Sequence, residues 1–406
     1  MTGDTLKSNV RLFIVRSFIL SVYQGIFDVI FNLYILDLGF HEDFLGLMLA
    51  VNLLASSMAS VPAGLLCDRF NKRKMMAAFG LLSFLSLVPL FLTGSPAVLL
   101  FFSAVGGACG SVGAVCATPF LTENCETDTV RIFSLNSAFS WMASIIGCTV
   151  GGILPRLFLR FTTMGTYRPT MLVSLMLLLA GWAILLLMKD GRARGAAKKP
   201  MSIRFSPNLL KFTLVSALTG VGTGAIVPYF NVYFIKVLGA SSSEIGVVFA
   251  VTNALMVVGF TLTPRITSWL GKARATAFTQ VTSIPFLILM ALTTSFMVGS
   301  FAYTARMFLM NLSGPAITSL QMEMIDPRER GFAVGFMSTV SGIVVAVSTY
   351  LGGLSMARGN YLLPYGVTCV AYLLAAGLMY GLFKDAERPY IENTRVAGHG
   401  QRPSAE

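Results

Sequence analysis

Two ionisable side chains, Asp28 and Arg306, lie deep inside long apolar runs. Each stands about nine or ten residues from one end of its run. At ~1.5 Å per helical residue that is roughly 14 Å, close to the midplane of a bilayer. A charge there costs at least about 2.5–3.5 kcal/mol unless it is paired or wetted, so its presence points to function. Asp28 can carry a proton or act as counter-ion to a cationic substrate. Arg306 can bind an anion or partner a buried acid, and mutual neutralisation of the two is the structural alternative. Ser17, Ser21, Gln24 and Asn32 accompany Asp28 at steps of three and four, which places them on one helix face. Ser216, Thr219, Thr223 and Asn231 repeat the pattern in a later run, Ser111, Thr118 and Thr122 mark another, and Tyr303 and Ser313 flank Arg306. Four polar faces can enclose a wet cavity. Gln24, Asp28, Asn32, Asn231, Tyr303 and Arg306 are therefore the expected substrate- or ion-binding residues.

The elements that position them follow from composition. The 406 residues are 55% hydrophobic and 12% charged, with a mean hydropathy of +0.74. A soluble domain carries roughly 25% charged residues, and half that cannot coat a chain of this size. Apolar runs of about 20 residues, continuous rather than alternating, exclude a β-barrel and predict an all-α polytopic membrane protein. Twelve spans are expected: 11–37, 44–66, 74–93, 97–121, 131–155, 168–188, 208–236, 244–264, 274–293, 297–321, 331–355 and 362–383. Most of the 30 Lys and Arg fall on one set of alternate loops and tails, so the net charge of +12 reports orientation rather than nucleic-acid binding. The rule puts both termini and a basic linker (Lys189, Arg192, Arg194, Lys198, Lys199, Arg204) in the cytoplasm. Arg156, Arg160 and Arg168 break it by lying on an outer loop. About nine polar residues lead directly into the first run with no small-residue cleavage site, so no cleavable signal is expected. The six cysteines read as small apolar packing residues, and His41 and His399 fall outside the spans. Neither a metal site nor an enzyme's nucleophile–base pair is expected.

The chain also repeats itself about 200 residues apart. Phe31-Asn32-Leu33-Tyr34 returns as Phe230-Asn231-Val232-Tyr233, Gly46 as Gly246, Glu123 as Glu323, and Gly151-Gly152 as Gly352-Gly353. Six spans per repeat give both halves the same orientation, which is a parallel repeat, and such proteins place their site between the halves. The expected units are a six-helix bundle over 1–188, a cytoplasmic linker over 189–206, a second bundle over 207–386 and a polar tail over 387–406.

After the second run comes Gly64-Leu65-Leu66-Cys67-Asp68-Arg69-Phe70-Asn71-Lys72-Arg73-Lys74. It reads as a helix end, a tight turn and a basic stop. Gly64 would allow close helix approach, and Asp68 would accept from a neighbouring helix N-terminus. Asn71 would take a positive φ, and Arg73 and Lys74 would anchor the cytoplasmic face. Gly64, Asp68, Arg69, Arg73 and Lys74 match, and Asn71 departs from, the loop between helices 2 and 3 of the major facilitator superfamily, which this chain resembles over nearly its whole length. Traces of the same loop recur at Pro264-Arg265 and Gly271-Lys272-Ala273-Arg274.

The resemblance implies twelve helices in two pseudo-symmetric six-helix bundles, with spans 1, 4, 7 and 10 around a central cavity and transport by rocking of the bundles. It also implies a latch that bridges the cytoplasmic ends when the carrier faces outward. Here that means Glu123 and Glu126 with Arg69 and Arg73, and Glu323 with Arg265 or Arg274. Phe102 and Ser103 stand where many proton-coupled members have an Arg, and span 5 lacks the internal Pro of drug–proton antiporters. Pro119, Pro228 and Gly314-Pro315 are candidate hinges. The expected function is secondary transport of a small solute by alternating access, with export of a small organic or amphipathic compound favoured. Uptake by symport, facilitated diffusion, and a non-transporting receptor or assembly factor on the same scaffold are the alternatives. No cofactor is expected beyond a proton or other ion gradient. The expected partners are the solute and membrane lipid, with no nucleic acid, for a monomer in the cytoplasmic membrane.

Overall fold

A bilayer interior offers no water to satisfy backbone N–H and C=O groups, so apolar runs of this length fold as helices. The structure, a computed structural model, describes residues 3–125, 129–158, 166–189, 205–312, 314–326 and 329–384. For 3–7, 68, 129–130, 260–262, 264–265, 268 and 330–331 it describes the backbone alone. Most of the linker, the tail, Glu126, Arg160 and Ser313 thus lie outside the described residues, as do the side chains of Asp68 and Arg265.

The first half comprises α1 (Gly3–Asp37), α2 (Glu42–Arg69), α3 (Lys72–Leu92), α4 (Pro96–Asn124), α5 (Thr129–Phe158) and α6 (Arg168–Leu187). The second opens with α7 (Pro207–Ile226), a 3-10 turn (Val227–Tyr229) and α8 (Phe230–Lys236). It continues with α9 (Ser242–Leu270), α10 (Lys272–Leu292), α11 (Phe296–Leu312), α12 (Gly314–Met324), α13 (Arg330–Ala357) and α14 (Leu362–Phe383). Among the described residues, eleven of the twelve expected spans are long and apolar enough to cross a membrane. The tenth is described as α11 and α12 on either side of residue 313, and neither piece suffices alone. Pro228 sits in the 3-10 turn that interrupts the seventh span, whereas Pro119 lies inside a continuous α4. Several helices outrun their apolar runs. The last turn of α2 therefore holds Arg69, and Gly64 lies inside the helix rather than at its end.

The repeat is visible in the bonds. Tyr34 donates to the Leu90 carbonyl at 3.1 Å, and Tyr233 does the same to Met290. The turns into α4 and α11 are closed alike, by Ser95 N–H on Thr93 Oγ1 and Ser295 N–H on Thr293 Oγ1, both at 3.1 Å. The turns after α1 and α8 both pass through a glycine with positive φ, Gly39 at 90° and Gly239 at 65°.

Where the halves meet, the repeated glycines touch. A methyl group added at Gly353 on α13 would come within 3.0 Å of Gly46 Cα on α2. One added at Gly246 on α9 would come within 2.9 Å of Gly152 Cα on α5. Without a hydrophobic drive between helices in lipid, such close backbone approach is what holds them together. Within the halves, α1 closes on α5 at Gly25 and Gly147, and α7 closes on α13 at Ala225 and Gly352.

Two arginines tie α3 to α6. Arg73, at the start of α3, donates to the Leu185 and Leu186 carbonyls at the end of α6 at 3.3 and 2.8 Å. Arg168, at the start of α6, donates to the last carbonyls of α3, Phe91 at 2.7 Å and Leu92. A guanidinium on orphan C-terminal carbonyls is favourable on both counts of hydrogen bonding and dipole. This accounts for Arg168 on the loop where the charge rule forbids it. Asn71 corrects another expectation. Its φ is −65°, and its side chain accepts from Lys74 N–H as the N-cap of α3, so no left-handed turn is needed. The left-handed φ falls instead at Gly271, 83°, which precedes α10. Gly64 does not sit in a close helix contact, because a methyl group there would meet nothing within 4 Å.

Replacing Gly246 with Leu should cost about 1–3 kcal/mol by overpacking and lower the thermal midpoint of the purified protein. Replacing Gly113, where an added methyl meets open space, should leave it unchanged. Equal midpoints for the two variants would refute the role given to the glycine crossings.

Candidate functional site

Between the halves lies a cavity of about 360 Å³. Its polar lining is Asp28, Asn32, Asn231 and Asn253, and its walls are aromatic, with Phe27, Phe31, Phe230, Phe249 and Tyr303 among them. The aromatic wall is a packed stack: Phe27 lies on Phe31 with centroids 4.2 Å apart, and Phe249 lies on Tyr303 at 5.3 Å. Asp28 is exposed although it sits in the middle of α1, and its Oδ1 accepts from Gln24 Nε2 at 2.7 Å. Positions i and i+4 of one helix place those two groups side by side. The result is an accessible carboxylate, oriented by an amide, facing rings that offer apolar area and π faces.

Arg306 is positioned differently. It does not line the cavity, it is 2% exposed, and it forms no ion pair with Asp28 among the described residues. Its Nη2 donates to Tyr372 Oη at 2.6 Å, and its Cζ lies 5.2 Å from the Phe230 ring centroid and 5.8 Å from that of Tyr372. Its Nε is buried without a hydrogen-bond partner. Ring faces carry negative charge density and stabilise a guanidinium by about 0.5–2 kcal/mol. The mutual-neutralisation reading of the two charges is thus not the arrangement found, and the cavity keeps one uncompensated acid.

Asn32 and Asn231, equivalent residues of the two repeats, meet each other. Asn32 Nδ2 donates to Asn231 Oδ1 at 2.9 Å and to the Pro228 carbonyl at 2.5 Å. Asn231 Nδ2 returns bonds to the carbonyls of Asp28 and Val29 at 3.1 and 3.2 Å. Pro228 has no N–H for the carbonyl four residues back, Gly224, which accepts from Thr349 Oγ1 at 3.1 Å instead. The Val232 N–H is taken by Asn231 Oδ1 at 2.9 Å, which leaves the Pro228 carbonyl to Asn32. Both asparagines are buried. Toward the end of the bundle that carries Gly39, further contacts cross between halves. Glu42, 3% exposed, pairs with Lys236 at 2.5 Å and accepts from Tyr361 Oη at 2.8 Å. Ser243 donates to the Gly152 carbonyl at 2.8 Å. Burial and the neighbouring Glu42 carboxylate hold the Tyr361 phenol above its ordinary range, so it stays a donor. Nearer the middle, Asn253 Nδ2 donates to Ser144 Oγ at 3.1 Å.

At the opposite end the latch residues find other partners than expected. Glu123 pairs with Lys72 at 2.7 Å, and Glu323 pairs with Lys272, which also donates to Ser319 at 2.9 Å. The lysines, like the glutamates, are 200 residues apart, so the repeat reproduces the pair. Successive residues on a helix point about 100° apart. With Lys72 turned to α4, Arg73 therefore faces α6, and Arg274 points away from the Lys272–Glu323 pair to an exposed face. Both pairs lie within a half rather than across the seam. Arg69 and Lys74 are exposed.

Sequence reasoning missed Tyr372, Glu42, Lys236, Tyr361 and Asn253. Asn253, a lone amide in an apolar run, carried a usable signal. The others did not: tyrosines and span-end charges are common in membrane helices, and only the fold shows that these converge. Arg16, five residues into the first expected span, was also passed over, and its Nε is buried without a partner.

The sequence model of the Major Facilitator Superfamily matches residues 13–349. Among curated proteins, the multidrug resistance protein MdtG of Rahnella sp. (strain Y9602) is 28% identical over 142 residues, a match spanning about a third (34%) of each chain. Among solved structures, the nucleoside transporter NupG has a TM-score of 0.74 at 11% identity, covering 92% of this chain and 99% of that one. A D-xylose–proton symporter has a TM-score of 0.72 at 13% identity, covering 93% and 97%. A bacterial homologue of the human lysosomal transporter Spinster, solved inward-facing and unoccupied, has a TM-score of 0.69 at 15% identity, covering 94% of each chain. At these identities the likeness is one of fold.

Removing the Tyr372 hydroxyl (Tyr372→Phe) takes the oxygen acceptor from a buried guanidinium, leaving it only the weak acceptor Met307 Sδ at 2.9 Å, and should cost about 1–3 kcal/mol, read as a lowered thermal midpoint. Arg306→Met in the same background should recover much of the loss, since no buried charge then lacks a partner. Additive losses in the double variant would show that the two groups are not coupled.

Proposed function

The chain belongs to the Major Facilitator Superfamily, and from that premise we propose that it exports organic cations across the cytoplasmic membrane in exchange for protons at Asp28. It is a multi-pass membrane protein and a transporter of small solutes. The observation that carries the finer reading is the accessible Asp28 carboxylate in an aromatic-walled cavity from which Arg306 is withdrawn into its own ring cage. A cation gains there from the acid and from the ring faces together. The likeness of a third of the chain to a multidrug resistance protein supports export.

The exchange follows from electrostatics. A bare carboxylate near the midplane resists the closing of protein around it, because desolvation then has no compensation. Either a proton or a cationic substrate removes the charge, and one carboxylate accepts one of them at a time. Each crossing of the site therefore carries one or the other. In this reading the Gly39 end faces outward and is shut by Asn32–Asn231, Glu42–Lys236 and the glycine crossings, while Asp28 communicates with the cytoplasm. The carrier is then poised to load substrate. For the opposite opening the outer contacts must part, and the pairs at Lys72 and Lys272, partly solvated and worth about 0–1 kcal/mol each, permit rearrangement at the inner ends.

In proteoliposomes with an imposed pH gradient, wild-type protein should drive tetraphenylphosphonium flux and concurrent counter-movement of protons. Asp28→Asn should reduce both to background while leaving the thermal midpoint within a few degrees of wild type. Wild-type flux in Asp28→Asn, or no dependence on the pH gradient, would overturn the reading.

A further inference from the structure

A second, larger cavity lies away from the seam. Helices α13 and α14 both pack on α7 but scarcely on each other, which leaves a groove of about 780 Å³ between them, open to the side. Its floor is closed. Ser348 donates to the Val221 carbonyl at 2.6 Å, and Thr368 donates to the Gly222 carbonyl at 3.0 Å. Its walls are Ile343, Val347 and Leu351 on α13, each four residues from the next, and Leu363 and Val367 on α14. All five are at least 40% exposed, as residues facing lipid are.

One end of the groove is polar and the other is not. At the Gly39 end it reaches Ser355, Arg358 and Asn360. The backbone there is pinned: Gly359 has a φ of 77°, Asn360 N–H bonds the Ser355 carbonyl at 3.1 Å, and Ser355 Oγ bonds the Asn360 carbonyl at 2.8 Å. Arg358 is exposed, and no carboxylate pairs with it among the described residues. Of the two acids on the same end of α2, Glu42 is already held by Lys236 and Tyr361, and Asp43 accepts from the Phe44 N–H at 2.7 Å without an ion pair to Arg358. From Val347 to Arg358 is 11 residues of helix by sequence number. At ~1.5 Å per residue that is roughly 16 Å, about half of a hydrocarbon core of ~30 Å. The groove therefore accommodates the acyl depth of one leaflet and presents a fixed, unpaired cation where a headgroup phosphate sits.

A second lateral groove provides the contrast. It lies between α9 and α11, has a volume of about 580 Å³ and is more apolar still. At the Gly39 end it finishes in Ser243 and Glu244 instead of a base. Apolar lining alone is thus common to both, and only one of them offers charge complementarity to an anionic head.

We infer that the α13–α14 groove is a binding site for one anionic phospholipid, with an acyl chain along Val347 and Leu351 and the phosphate on Arg358. The site is independent of transport at Asp28. Native mass spectrometry of the purified protein in neutral detergent, with phosphatidylglycerol or phosphatidylcholine added at equal amounts, tests it. Wild type should retain phosphatidylglycerol about fivefold more strongly, the equivalent of ~1 kcal/mol for one basic residue at a membrane surface. Arg358→Gln should abolish that preference, and Val347→Trp, filling the groove from an exposed position, should lower retention of both lipids. Glycerol 3-phosphate should not compete. A preference that survives Arg358→Gln, no preference in wild type, unchanged retention in Val347→Trp, or competition by glycerol 3-phosphate alone would each overturn the assignment.

Discussion

Two pairs of helices, α2 with α13 and α5 with α9, cross closely enough for glycine Cα atoms of opposite halves to touch. Lipid supplies no hydrophobic force between helices, so contact area and backbone proximity must hold the halves together. The crossings also fix where polar groups can meet. With the backbones this close, Asn32 and Asn231 reach each other, Ser243 reaches the Gly152 carbonyl, and Glu42 reaches Lys236. The central cavity is lined from both halves, by residues of α1, α2 and α5 and of α8, α9 and α11.

The site depends on how two charges are treated. Asp28 keeps contact with solvent through the cavity and needs only Gln24 to orient it. Arg306 is fully enclosed and is compensated by one hydroxyl, the Met307 sulfur and two ring faces. Had the two paired, the cavity would be neutral and small solutes would meet only aromatic surface and amides. Their separation leaves the cavity with a net negative group, and the chemistry proposed for the carrier rests on that difference. The arginines that cap α3 and α6 show the opposite use of the same side chain, where charge serves helix ends and has no contact with the cavity.

Much of the architecture was legible along the chain. Run length predicted the spans, and the pairs Gly46/Gly246 and Glu123/Glu323 announced two equivalent halves. The same glycines prove to be the contact surfaces between those halves, which periodicity alone did not state. Of the named binding residues, Asp28, Asn32, Asn231 and Tyr303 line one cavity, Gln24 holds Asp28, and Arg306 stands behind the wall. In this structure the latch glutamates pair with Lys72 and Lys272, and Arg73, next to Lys72 in sequence, faces a different helix in space. Asn71 was given a left-handed turn that its N-cap geometry does not need.

The sequence by itself determined depth and likeness: which segments cross a bilayer, which charges lie near its midplane, and which positions correspond between the halves. These follow from hydropathy, helical rise and repetition, all of which are one-dimensional. Only the tertiary structure decided adjacency: that Asn32 meets its own repeat partner, that Arg306 is caged by Phe230 and Tyr372 rather than by Asp28, and that Arg358 ends an open groove. Each of these depends on which face of one helix meets which face of another. Helix packing sets that rotation, and a step of one residue turns a side chain by about 100°.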